Sequence, residues 1–406
     1  MSTYQQTLSF LFEQLPMYQR DGAKAYKKDL NNTIALCNKL GNPEKQFKSI
    51  HIAGTNGKGS TAHILSAILQ TAGYKTALHT SPHLRDFRER IKINGNLIAE
   101  KAVIDFVASN KQIIDELSPS FFELTVAMAF DYFAKEQVDI AIIETGMGGR
   151  LDSTNILNPI LSIITNIGFD HTQFLGDTLE AIAQEKAGII KPNIPIIIGE
   201  ALENTKPIFE QIAKQQHAPI IFAEAEINQS YESDLKGNYQ TKNLHTALIA
   251  IKQIQQLGFN ITNDNISKAL KNVAEISGLQ GRWQILNRNP LTICDCGHNK
   301  EGLSYVLEQI KQTPHKQLHF VLGMVDDKDH DAILSILPEN AIYYFCKPKI
   351  PRGFDADKLK EKAAQYNLNG IAYTSVKDAF NAAIQQAKND DLVFVGGSTF
   401  VVAEVL

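Results

Sequence analysis

Residues 47–69 constrain this chain more than any other stretch. Phe47 to Ala53 is a short, mostly apolar run, as a buried parallel strand should be, and it leads into Gly54-Thr55-Asn56-Gly57-Lys58-Gly59-Ser60-Thr61. Beyond it, Ile64, Leu65, Ile68 and Leu69 recur at the 3–4 spacing of a helix face. A glycine-rich turn between strand and helix lets backbone N–H groups close on phosphate oxygens. A lysine adds a point charge there, and Ser60 or Thr61 can reach a bound Mg2+. The spacing is not the common GxxxxGK[ST]: Gly54 stands four residues before Lys58, and Gly59 separates Lys58 from Ser60. An ordinary strand–turn–helix joint accounts for the glycines but not for the lysine and the two hydroxyls. The segment predicts a binding loop for a nucleoside triphosphate.

The rest of the chain narrows the class. At 406 residues it is long enough for two domains with separate cores. A formal net charge of −4 gives no general basic field for a nucleic acid, so no nucleic-acid partner is expected. No apolar run reaches the ~18–20 residues of a membrane span, and the start lacks a signal peptide's basic and apolar regions. A cytoplasmic protein with no membrane partner is expected. The four cysteines offer one C-x-C pair, Cys294 and Cys296, which on a strand point to opposite faces; free thiols are expected rather than a zinc site.

Strand-like runs at 139–144, 160–165, 194–198, 291–295, 318–323, 341–346 and 391–395 alternate with helical patterns such as 125–136, 179–187 and 302–311. The alternation predicts an α/β fold with parallel sheets. The polar stretch Asn287-Arg288-Asn289-Pro290 reads as a linker, giving domains 1–286 and 291–406 joined through 287–290.

Polar loops follow several of these strands, where open α/β sheets bind ligands. Glu144 ends one strand and opens a glycine-rich run to Asn155, well placed to hold a metal ion. His171 follows the next strand, as a second candidate ligand or a structural histidine. Lys186 closes a helix before Gly188 and Pro192, which on its own reads as a cation favoured by the helix dipole. Asp295-Cys296-Gly297-His298-Asn299 and Gly396-Gly397-Ser398-Thr399 end strands in the C-terminal part.

Taken together, Gly54–Thr61, Thr80-Ser81-Pro82-His83-Leu84, Glu144–Asn155, Ile164–His171, Glu185–Pro192, Gly281-Arg282-Trp283, Asp295–Asn299 and Gly397-Ser398 resemble the folylpolyglutamate synthase/dihydrofolate synthase family of the Mur ligase superfamily, nearly end to end. The resemblance implies an N-terminal P-loop ATPase domain, a smaller C-terminal Rossmann-like domain and an active site in the cleft between them. It implies that Gly54, Thr55, Asn56, Gly57, Lys58, Gly59, Ser60 and Thr61 hold ATP phosphates, and that Asn243, Arg282 and Asp295 contact the nucleotide. Ser81, Glu144 and His171 match the family's magnesium ligands, with two ions expected. Lys186 matches a lysine that superfamily members carbamylate. His298 matches the nucleotide-facing motif of the C-terminal domain, with a catalytic part expected of it. Ser398 falls in the terminal loop, and substrate contacts are expected from His83, Arg85 and Ser398. Two departures stand out: Gly297 and Lys300 flank His298 where the family commonly has Ala and Pro, and Leu15–Gly22 differs from better-known members.

The reaction implied is ATP-dependent addition of L-glutamate to dihydropteroate and to the γ-carboxylate of reduced folates, through an acyl phosphate, by a monomer. A monofunctional folylpolyglutamate synthase is the alternative. A cell-wall peptide ligase fits less well, because Thr80–Leu84 and Glu89-Arg90-Ile91-Lys92-Ile93-Asn94-Gly95 look like the folate branch. A P-loop switch or motor, or a nucleotide-binding module without chemistry, leaves the C-terminal loops and the metal-type residues unexplained. Gln19–Gly22 and the loop Ser81–Arg88 are expected to line the pterin end, with Arg85 and Arg88 available to a glutamyl tail. Phe121, Phe122 and Phe169 are candidates to stack on a pterin, or core residues.

Overall fold

A computed structural model describes residues 3–17, 20, 29–226 and 231–406. The chain divides into two compact units. One comprises Met1–Asp234 with Gln240–Gly278, the other Leu235–Tyr239 with Leu279–Leu406.

The first unit is built on an eight-stranded sheet. In chain order its strands are β1 (Lys48–Ala53), β2 (Thr76–His79), β3 (Ile91–Ile93), β4 (Asn96–Leu97), β5 (Ile140–Glu144), β6 (Leu161–Ile164), β7 (Ile196–Ile198) and β8 (Ile220–Phe222). Their spatial order is β4-β3-β2-β5-β1-β6-β7-β8, parallel from β2 to β8, with β3 and β4 added antiparallel at one edge. β1 sits between β5 and β6, with Ile50 in register with both Ile142 and Leu161. Ile50 and Ile52 are wholly buried. Each fully buried side chain of that size contributes roughly 1.5–3 kcal/mol. As a central parallel strand β1 is buried on both faces, so the polar Ser49 and His51 that alternate with these isoleucines are buried too, His51 Nε2 lying 2.8 Å from Thr154 Oγ1.

The helix Lys58–Thr71 follows β1 directly and is buried from Ser60 to Leu69. It packs against the helices Gln240–Gln256, Asn263–Leu270 and Val273–Ser277. The helix Phe121–Lys135 lies in another core cluster, with Leu11, Leu36, Phe87 and Phe106. Its start is fixed by a capping box in which Ser120 and Glu123 satisfy each other's backbone N–H groups.

The second unit carries a six-stranded sheet of β9 (Gln284–Arg288), β10 (Leu291–Cys294), β11 (Leu318–Leu322), β12 (Ile342–Cys346), β13 (Gly370–Tyr373) and β14 (Leu392–Gly396). The order is β13-β12-β11-β14-β10-β9, parallel except for the antiparallel edge strand β9. Phe320, Tyr343, Phe345 and Phe394 fill its core.

The linker expected at 287–290 is a correction. Asn287 and Arg288 belong to β9, Arg288 pairs with Leu291, and Asn289-Pro290 is the hairpin turn between the strands. β9 is an edge strand with most of its side chains toward solvent, so its sequence is polar like a linker's. The units part instead between Gly278 and Leu279, ahead of the expected boundary at 286.

Candidate active site

Four neighbouring parallel strands of the first sheet bring the candidate residues to one edge. At the carboxyl ends of β2, β5, β1 and β6, in that spatial order, come Ser81, Glu144, the Gly54–Lys58 loop and the loop from Thr165 to His171. This gathering follows from topology, because parallel strands all end on the same side.

The phosphate-type loop is held by the loop beside it. Thr55 N–H donates to the Asn166 carbonyl at 3.0 Å, and Asn56 N–H to Asn166 Oδ1 at 2.8 Å. Thr55 Oγ1 donates to the Gly168 carbonyl and accepts from Gly168 N–H, while Thr165 Oγ1 donates to the Asn56 carbonyl at 2.6 Å. Two glycines are required here. Gly54 (φ 148°) leaves no room for a Cβ beside Thr165 Oγ1, and Gly57 (φ 82°) none beside Asn243 Oδ1. Asn243 thus lies directly against the loop, its amide donating to Gln240 Oε1. Gln240 in turn donates to Ser60 Oγ at 3.2 Å. Gly59 and Thr61 lie in the first turn of the helix, where the Thr61 hydroxyl is buried without a partner.

Two lysines converge on this loop. Lys58 Nζ donates to the carbonyls of Gly54 (3.0 Å) and Thr55 (3.1 Å). Lys186, from the helix Leu179–Ala187, donates to the same Gly54 carbonyl at 2.7 Å and is 4% exposed. It is no solvated helix-end cation. Burial, aided by repulsion from Lys58, pulls its ammonium down to about 7.

Glu144 is buried, and its Oε2 accepts from Ser81 N–H at 3.2 Å, tying β5 to the loop after β2. Beside it the Thr145 hydroxyl is buried without a partner. The following turn is clamped by Asp152, which accepts from Met147 N–H and from the backbone and hydroxyl of Thr154. Arg150 N–H then donates to the Glu185 carbonyl, docking that turn on the helix of Lys186. His171 begins the short helix after β6 at φ 51°, with Nε2 3.9 Å from Asp170.

In the second unit, Asp295 is the organising group. It is 2% exposed, its Oδ2 accepting from Trp283 N–H (2.7 Å) and the Tyr239 hydroxyl (2.5 Å), its Oδ1 from Gly297 N–H (2.8 Å). Burial pushes its carboxyl above the usual range, against the pull of Tyr239 and Arg282. Its carboxylate is therefore committed to shaping the loop that carries His298, whose Nδ1 lies 2.9 Å from the Cys296 carbonyl. Arg282 donates to the Gly281 carbonyl, and Ser398 caps the helix Thr399–Ala403 by accepting from Phe400 N–H. Lys300 is exposed.

A model of the Mur ligase middle domain matches residues 52–264, and one of the Mur ligase glutamate ligase domain matches 281–399. The Escherichia coli dihydrofolate synthase/folylpolyglutamate synthase is 33% identical over 372 residues, covering 87% of this chain and 85% of that protein. The chain belongs to the folylpolyglutamate synthase/dihydrofolate synthase branch of the Mur ligases. The structure of E. coli FolC in complex with DHPP and ADP matches this Mur ligase with a TM-score of 0.88 at 30% identity, over 100% of this chain and 97% of that one. The Yersinia pestis bifunctional folylpolyglutamate synthase/dihydrofolate synthase, complexed with AMPPNP and Mn ion, matches at 0.86 and 27%, over 100% and 97%. The chain spans about half the length of its archaeal relatives. It is 31% identical to the Probable bifunctional folylpolyglutamate synthase/dihydropteroate synthase of Haloferax volcanii over 99% of this chain but 50% of that protein.

Other expectations for this Mur ligase resolve unevenly. Arg88 does not offer a free cation: it makes a bidentate pair with Asp86 and a second ion pair with Glu100. Arg85 is exposed, with its backbone N–H on Glu89. Phe121 is 3% exposed and stacks on Phe12, a core residue; Phe169 is 51% exposed. Gln19, Asp21 and Gly22 lie outside the described residues. All four cysteines are buried and unpaired. Among the described residues no helix is long and apolar enough to cross a membrane. Sequence reasoning missed Asn166, Thr165 and Gln240 as supports of the loop. Asn166 lies inside the matched Ile164–His171 motif, and that signal was sufficient to find it.

Proposed function

We propose that this Mur ligase couples ATP cleavage to amide formation, adding L-glutamate to dihydropteroate and to the γ-carboxylate of reduced folates. The observation that carries it is the gathering of a lysine-bearing glycine-rich loop and a buried carboxylate at adjoining strand ends, with the buried Lys186 of lowered pKa reaching the same loop from its helix.

The residues fit a divalent ion. Glu144, the Ser81 hydroxyl and His171 come from three of the four strand ends, and two buried hydroxyls beside them lack partners. Among the described residues no three His, Cys, Asp or Glu side chains form a metal cage. Oxygen donors such as the Glu144 carboxylate and the Ser81 hydroxyl suit an ion of the Mg2+ type, which is bound through one or two carboxylates together with the substrate's phosphate oxygens. When bound, such an ion would neutralise charge between the phosphates and an approaching carboxylate.

Lys58 and the N–H groups of the loop bind and orient the triphosphate. Its γ-phosphoryl passes to an oxygen of the acid substrate, breaking the bond to ADP and forming an acyl phosphate. The glutamate amine then attacks the acyl carbon, loses a proton and expels phosphate. Positioning and electrostatic support are what the protein must supply for both displacements. Lys186 in its neutral form attacks CO2 through Nζ, forming an N–C bond and releasing a proton. The resulting carbamate turns a buried cation into an anion able to support a second ion. Unmodified, its ammonium would repel that ion.

The test is ADP formation in the presence of each substrate omitted in turn. Release that requires both the pteroyl acid and glutamate supports ligation; release with ATP alone contradicts it.

A further inference from the structure

The stretch Glu89–Gly95 set this chain apart from peptide-forming relatives, yet nothing in the proposed chemistry uses it. In the structure it acts on the loop after β2. The Glu89 carboxylate accepts from three consecutive backbone N–H groups, Leu84, Arg85 and Asp86, at 2.7, 3.0 and 2.9 Å. The Arg90 carbonyl accepts from Thr80 N–H, at 3.3 Å, and faces His79 Nδ1 at 2.9 Å. Arg90 itself is 3% exposed, its guanidinium 5.1 Å from the centre of the Phe121 ring. Its Nε–H donates to His83 Nδ1 at 2.7 Å. The His83 ring is flanked by Phe12 and Phe87, with centroids at 5.9 and 6.5 Å.

These contacts determine the state of His83. A nitrogen that accepts from a guanidinium carries no proton, so the ring is neutral and its proton sits on Nε2. No described residue takes that Nε2–H, although the ring is half-buried and wedged between two aromatic side chains. Burial lowers Arg90 only to about 10, so it remains a cation and a donor at neutral pH. His83 lies two residues beyond Ser81, whose N–H meets Glu144.

We infer that Arg90 is a positioning residue that fixes His83 as a neutral N–H donor for an acceptor oxygen of the acid substrate's reacting carboxyl group. The inference rests on the ligase reading above and names how that site takes its acid. A neutral donor suits this task. The carboxylate must be held, yet must stay nucleophilic enough to attack the γ-phosphorus. A charge-assisted hydrogen bond is roughly twice as strong as a neutral one and would draw electron density from the attacking oxygen. Imidazole orients the group without that cost, and the Arg90 Nε–H on Nδ1 fixes the tautomer.

The test combines kinetics with the tautomer itself. His83→Leu should raise KM for dihydropteroate about tenfold or more, with KM for ATP and the thermal midpoint unchanged, and His83→Gln, which keeps a side-chain N–H, should recover part of the loss. Arg90→Met should give the same selective shift, and the double variant should be no worse than His83→Leu alone, since the two act as one unit. Nitrogen-15 NMR of labelled histidine in the wild-type protein should show His83 protonated on Nε2 only, a readout that holds even where Arg90→Met fails to fold. A wild-type KM for the acid in His83→Leu, an additive double variant, or an imidazolium or Nδ1–H form of His83 would each overturn the inference. A wild-type protein that ligates no glutamate would overturn the ligase reading and this inference with it, whereas an active wild type with unaffected His83 variants overturns the inference alone.

Discussion

Lys58 and Lys186 donate hydrogen bonds to one and the same oxygen, the carbonyl of Gly54, at 3.0 and 2.7 Å. Two ammonium groups sharing one acceptor repel each other, and Lys186 is the more deeply buried of the two. The buried partner takes the penalty: Lys186 falls to about 7, with burial the larger cause and Lys58 the second.

Replacing Lys58 with alanine should lower ATP-dependent turnover by roughly 10²–10³, the scale of losing one electrostatic contact to the transition state. Lys58 is only half-buried, so the thermal midpoint should barely move; relief of repulsion should also raise the Lys186 pKa. Steady-state kinetics and a melting curve read both.

The lowered pKa of Lys186 sets a pH window. Its folded value, about 7, lies below the 10.5 of an ordinary lysine, so the unfolded chain binds more protons between those limits. The stability contribution of this group should therefore rise from about pH 7 to 10.5, and Lys186→Met should lose that slope in denaturant titrations. The neutral amine needed for carbamylation should likewise appear as pH climbs through 7. Carbon-13 NMR after bicarbonate labelling should show a carbamate signal absent from Lys186→Met.

Glu144→Gln and His171→Ala should each cut activity about tenfold or more and raise the Mg2+ concentration needed for half-maximal rate, as expected for ligand loss. Unchanged magnesium titrations in both variants would make these residues structural.

Both dihydropteroate and tetrahydrofolate should serve as acids at saturating ATP and glutamate, because each presents a carboxylate to the same phosphoryl donor. Product masses should increase by one glutamyl residue in each case. Turnover with tetrahydrofolate alone would leave a monofunctional folylpolyglutamate synthase.

The sequence carried the site where chemistry is local and concealed it where the fold decides. The loop of Gly54, Gly57 and Lys58 was legible because a glycine-rich joint between a strand and a helix is written in consecutive residues. Glu144 and His171 were readable because strands announce their ends. Lys186 entered only through the family resemblance, because its burial and its bond to Gly54 arise from packing across 132 positions of sequence. β9 was missed because an exposed edge strand is written in polar residues, and β2 because Ala77 and Leu78 are too short an apolar run to stand out. Arg88 looked like a free cation until Asp86 and Glu100 were seen to neutralise it.

The most direct measurement follows the oxygen. Dihydropteroate labelled with oxygen-18 in its carboxyl group, incubated with ATP, Mg2+ and glutamate, should transfer one label to inorganic phosphate for each amide formed, detected by mass spectrometry. Phosphate free of the label, or released at the same rate without glutamate, would contradict acyl-phosphate ligation by this chain.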